Sequence, residues 1–110
     1  MAKYEVHQPY LTRAQRDQIN AGGLKEVYAA YLDARVNCKP DRALRCLLYK
    51  HVSNIEAEDL EDVFEVGNIG PEHQIERLEP MCSVSVGDII RDPEGRTFIV
   101  ASFGFEQLGG

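Results

Sequence analysis

The chain has 110 residues, 44% of them hydrophobic, which is enough apolar material for one compact core and too little length for two. Its 12 basic and 18 acidic side chains give a net charge of −6, which argues against a general nucleic-acid binder with clustered Lys and Arg and against anionic membrane surfaces. No apolar run reaches membrane-span length, the start at Met1-Ala-Lys-Tyr-Glu5 lacks the order of a signal peptide, and Cys38, Cys46 and Cys82 form neither a disulfide framework nor a zinc motif.

Tyr4 and Val6 alternate with polar neighbours, the period of a half-buried strand, and Pro9 predicts that this strand lies at or near a sheet edge. Thr12 and Gln15 have capping-box spacing, so a helix starts there and Gly22-Gly23 ends it. A second helix over about 24–36 follows from Leu24, Val27, Tyr28, Tyr31 and Leu32 on one face. Asp41 is placed to cap a short third helix holding Ala43, Leu44, Leu47 and Leu48. From Tyr49 to Ile55 a strand is expected, with Tyr49, His51, Ser53 and Ile55 on one face.

Helical spacing returns at Leu60, Val63 and Phe64, with Gly67 as the stop. Pro71 followed by acids predicts a short helix carrying Ile75 and Leu78 as far as about Glu79. Val84-Ser-Val86, Asp88-Ile-Ile90 and Thr97–Ala101 then read as strands around the turn Asp92–Gly95, with Leu108-Gly-Gly110 frayed. The order β-α-α-(α)-β-α-α-β-β defines one α+β domain over 1–110, with several short helices on a small, mainly antiparallel sheet that ends in a β-hairpin.

Charge is unevenly spread. Residues 1–52 net +4, 53–80 net −8 and 81–110 net −2. Glu58, Asp62 and Glu65 fall at i, i+4 and i+7 with Glu61 beside them, so one helix face carries like charges. This pattern suits a solvated face or a surface that meets a basic partner. A carboxylate-rich divalent-metal site is the third reading, and the missing EF-hand pattern counts against it.

His7, His51 and His73 show no ligand spacing, and there is no GxSxG, P-loop or GxGxxG, so no catalytic residue, metal or cofactor is assigned. His51 reads as half-buried structure, and Cys38 and Cys46 as small packing residues. Ser83, Ser85 and Ser102 read as the solvent side of strands. Phe98, Phe103 and Phe105 could offer a platform for bases, but with the local charge of −2, core closure is the better reading for Phe103 and Phe105.

The run Met81-Cys-Ser-Val-Ser-Val-Gly-Asp-Ile-Ile90, then Gly95, then Val100-Ala-Ser-Phe-Gly-Phe105, resembles the C-terminal module of the YodL-like family. Ala57–Gly70 and Ile75–Leu78 are similar to segments of small phage proteins, so the resemblance spans about 50–108. The family often has His where Cys82 stands, and no catalytic residue is carried over. Gly87, Asp88, Gly95, Phe103, Gly104 and Phe105 are the matched motif and are read as structural, with Gly87-Asp88 entering the hairpin and Gly104 permitting close chain approach.

The resemblance implies a gene of phages, prophages or integrative elements, acting in the bacterial cytoplasm, often near antirestriction functions. The expected function is a non-enzymatic accessory protein that binds a basic host protein through Glu58, Glu61, Asp62 and Glu65, as a counter-defence or host-takeover factor. Two alternatives stand beside it. One is a nucleotide or metabolite sponge or hydrolase with a pocket between hairpin and helices. The other is a virion component that self-associates through an edge strand at Tyr4–Val6.

Overall fold

The alternation at Tyr4 and Val6 does make a strand, but pairing on both sides makes it central. The computed structural model describes residues 2–108, in the order β1 (Ala2–Pro9), α1 (Arg13–Asn20), α2 (Lys25–Arg35), α3 (Asp41–Arg45), β2 (Tyr49–Ala57), α4 (Leu60–Asn68), a 3-10 turn (Glu72–Gln74), β3 (Ile75–Arg77), β4 (Ile89–Arg91), β5 (Thr97–Ala101) and β6 (Gly104–Leu108). The strands form one antiparallel sheet in the order β3-β2-β1-β4-β5-β6, so the domain is α+β. Pro9 costs no edge position because it is the last residue of β1, beyond the pairing of Glu5–His7 with β4. The expected self-association through Tyr4–Val6 therefore fails, since both edges of that segment are occupied by β2 and β4.

Thr12 Oγ1 accepts from Gln15 N–H at 3.1 Å and Gln15 Oε1 accepts from Thr12 N–H at 2.9 Å, the reciprocal box that starts α1. In α2 the buried side chains are Ala30 and Ala34, whereas Leu24, Tyr28, Leu32 and Val36 are exposed. Val27 and Tyr31 of the expected stripe are half-buried against the smaller cluster, and the loop backbone packs directly on the helix, since a Cβ on Gly87, which has φ +93°, would lie 2.1 Å from the Ala34 carbonyl oxygen. Pro40, not Asp41, is the N-cap of α3. Gly67 lies within α4, which runs to Asn68, and a Cβ there would meet Val84 Cγ2 at 2.3 Å.

Three expectations in the second half are corrected. The helix over 71–79 shrinks to the single 3-10 turn, and Ile75–Arg77 instead pairs with Ser53–Ile55 of β2. The outer side of β2 offers this segment ladder hydrogen bonds that a helix would forgo. Val84–Val86 is loop rather than strand, so Ser83 and Ser85 are not the solvent side of a strand; Ser102 lies in the β5–β6 turn. The chain also adds β6, in which Leu108 pairs with Thr97; Gly109 and Gly110 of the expected frayed end lie outside the described residues.

A bulge in β2 decides which side chains share a face. Val6 pairs with Ser53 but His7 pairs with His51, leaving Val52 as the extra residue. Ser53, Ile55 and Ala57 therefore face the core with Tyr4 and Val6, while Tyr49 and His51 turn to the opposite side with His7. The common face expected for these four residues of β2 is split.

Two cores result. On one face α4 supplies Val63 and Val66 to a cluster with Tyr4, Val6, Ile55, Ile90 and Val100, and an open groove lined by Asp59, Glu61, Arg96, Phe98 and Phe103 remains between the start of α4 and the hairpin, where a pocket was expected. On the other, Leu11, Ala30, Ala34, Ala43 and Leu48 form a smaller cluster that meets the sheet at Tyr49.

Candidate functional site

The acidic stretch reaches the surface as a real face. Asp59 Oδ1 accepts from Asp62 N–H at 2.8 Å and caps α4, while Asp62 Oδ2 accepts from Glu58 N–H at 3.0 Å. Asp62 is half-buried and already employed in the helix start, so it belongs to the scaffold more than to the surface. Glu58, Glu61 and Glu65 are exposed and have no ion pair among the described residues. The basic front of the chain does not neutralise them: its ion pair to the 53–80 segment, among the described residues, is Lys50 with Glu79 at 3.3 Å.

Aromatic side chains flank this face. The two-residue turn between β5 and β6 is closed by Gly104 at φ +96°, and it projects Phe103 from the sheet with 100% of its surface exposed. Phe103 therefore does not close the core, because a turn tip has no layer above it. Phe105, one residue into β6, packs against the α4 core as expected. Nothing lies within 4 Å of a Cβ built on Gly104, so that glycine serves the turn and not a close approach. Phe64 of α4 is 40% exposed, and a shallow groove lined by Glu61, Phe64, Ala101, Ser102 and Phe105 runs between helix and turn.

The segment over 81–95 is a structural latch. Asp88 is fully buried, and its carboxylate accepts from Arg35 Nη1 at 2.6 Å, Gln8 Nε2 at 2.8 Å and Ser85 N–H at 2.9 Å. Burial pushes the Asp88 carboxyl upward, against the pull of Arg35 and these hydrogen bonds. Tyr49 donates to the Gly87 carbonyl at 2.5 Å, so α2, β1 and β2 are all tied to this loop. Cys82 contributes its backbone, donating N–H to Gln8 Oε1 at 3.1 Å, while its side chain is exposed. Gly95, at φ +86°, closes the Asp92–Gly95 turn.

A second constellation escaped sequence reasoning. His7 and His51 stack across β1 and β2 with ring centroids 4.8 Å apart, and Glu5 Oε1 lies 3.0 Å from His7 Nε2 and 3.8 Å from His51 Nδ1. Burial lowers the pKa of His7, while the hydrogen bond to His7 lowers that of Glu5. Glu5 and His7 share a face by period two, which the sequence does show; His51 joins them only because of the Val52 bulge, which it does not.

No family model, curated protein or solved structure matches the chain.

Proposed function

We propose that the chain is a non-enzymatic protein-binding module that docks a basic partner on the face formed by α4 and the β5–β6 turn. The observation that carries this reading is the combination of exposed Glu58, Glu61 and Glu65, without an ion pair among the described residues, with the fully exposed Phe103, which lines one groove with Glu61. Carboxylates of one sign steer a basic surface and fix its orientation, while an exposed aromatic supplies the desolvated anchor that charges alone lack. A partner with a cationic groove and an apolar pocket fits both features.

The resemblance of Met81–Phe105 to the YodL-like module supports a setting in phages or mobile elements, with a host protein as partner and counter-defence or antirestriction as the role. Among the described residues no helix is long and apolar enough to cross a membrane. The test compares baits in bacterial lysate: wild type, the triple variant Glu58→Gln/Glu61→Gln/Glu65→Gln, and Phe103→Ala. The expected result is one stoichiometric basic protein on wild type at low salt, lost at high salt and reduced at least tenfold by either variant. Equal retention on all three baits overturns the proposal.

A further inference from the structure

We infer that Glu5, His7 and His51 form a binding site for a zinc-class divalent cation on the open side of β1 and β2, remote in role from the acidic face. The three ligand atoms lie within 4.8 Å of one another. A tetrahedral ion with bonds of about 2.0–2.1 Å needs ligand atoms about 3.3–3.4 Å apart, and the 3.0 and 3.8 Å separations from Glu5 bracket that value. The rings, stacked with 16° between their planes, turn about their side-chain torsions so that both in-plane lone pairs meet on the ion. The backbone is already set: His7 and His51 are register partners, and the bulge at Val52 aims His51 to this face.

The outer hydrogen bonds fix the tautomer a metal needs. Asn54 Nδ2 donates to Glu76 Oε1 at 2.6 Å, which turns Asn54 Oδ1 toward His51 Nε2 at 2.7 Å. An amide oxygen only accepts, so His51 Nε2 carries the proton and Nδ1 presents its lone pair to Glu5. Two acceptors, a carboxylate oxygen and an imidazole nitrogen, thus face each other at 3.8 Å, an arrangement that a cation between them resolves. The chain Glu76–Asn54–His51 is the kind of outer support that orients ligating histidines. His7 Nε2 becomes the third ligand when its proton moves to Nδ1.

Three protein ligands leave one position for water, and two imidazoles with one carboxylate select zinc, cobalt or nickel over magnesium or calcium. Arg91 stands opposite Glu5 in the register of β4 and opposes the cation by its charge.

The test is titration of the tag-free chain with Zn2+ alone, followed by calorimetry and by the histidine ring signals in NMR. Exposed Cys46 and Cys82 are changed to Ser beforehand to remove thiolate competitors. One equivalent is expected, shifting the rings of His7 and His51 but not that of exposed His73. His7→Ala and His51→Ala each weaken binding more than tenfold, Asn54→Ala weakens it about 10–100-fold, Arg91→Gln tightens it, and His73→Ala leaves it unchanged. Absence of Zn2+ binding, or ring shifts at His73 rather than at His7 and His51, overturns the inference. The wild-type ring shifts decide the matter even where an alanine variant unfolds.

Discussion

At the residue scale the loop before β4 governs stability. Gly87 combines φ +93° with a Cβ position 2.1 Å from the Ala34 carbonyl oxygen, so Gly87→Ala adds both backbone strain and overlap with a helix that cannot yield. The expected loss is roughly 2–4 kcal/mol in denaturant unfolding; a loss below 0.5 kcal/mol would mean that α2 does not approach this loop. Tyr49, which donates to the Gly87 carbonyl, has its hydroxyl pKa raised by burial and then by the nearby Asp88 charge. Its folded pKa lies above the unfolded value near 10, so its contribution is complete below about pH 10 and fades as pH rises toward the folded value. Tyr49→Phe is expected to cost about 1 kcal/mol at pH 7 and to flatten the decline in stability above pH 10; an unchanged alkaline profile would contradict this. Ser53 Oγ, buried without a hydrogen-bond partner among the described residues, adds a third case. Ser53→Ala removes an unsatisfied hydroxyl and is expected to raise stability by about 1 kcal/mol, readable as a higher Tm.

At the element scale, the Thr12–Gln15 box and the Asp92–Gly95 turn were legible because their chemistry is local, each resting on side chains within four residues of the backbone groups they satisfy. The cap of α3 was misplaced at Asp41, and the Asp59 cap of α4 was not read. Asp59→Ala is accordingly expected to cost about 1 kcal/mol, visible as lost helix signal at 222 nm and earlier unfolding, whereas Glu61→Gln leaves both unchanged. The rest of what was not legible came from partners distant in sequence. Of the stripe Leu24, Val27, Tyr28, Tyr31 and Leu32, Val27 and Tyr31 do pack half-buried on the smaller core, while Leu24, Tyr28 and Leu32 are exposed and Ala30 and Ala34 are fully buried. Ile75–Arg77 looks helical until the outer side of β2 is available to it. Period two carries Tyr49 through Ile55 on one face, and a single inserted residue, Val52, splits them. That same insertion hid the cluster of Glu5, His7 and His51, two of which the alternation in β1 had already placed.

At the scale of the whole molecule, the segregated charge survives folding. Arg35 pairs with Asp88, Arg42 with Asp33 and Arg77 with Glu72, while Arg96, paired with Asp92, lines the groove that Glu61 and Phe103 share, so each of these cations has a carboxylate partner other than Glu58, Glu61 and Glu65. The sequence left open whether the acidic helix is exposed or paired with the basic front; Glu58, Glu61 and Glu65 are exposed, while Asp62 was not separable from them without the cap geometry. The outward row Leu24, Tyr28, Leu32 and Val36 on α2 is the competing surface, apolar where α4 is charged. The two faces predict different footprints. The most direct measurement is amide hydrogen exchange on this chain with and without the basic protein retained by the wild-type bait. Protection is expected in Leu60–Asn68 and around Phe103, reduced by the Glu58→Gln/Glu61→Gln/Glu65→Gln variant. Protection confined to Lys25–Arg35, with α4 and the β5–β6 turn unchanged, would contradict the assignment of the binding face.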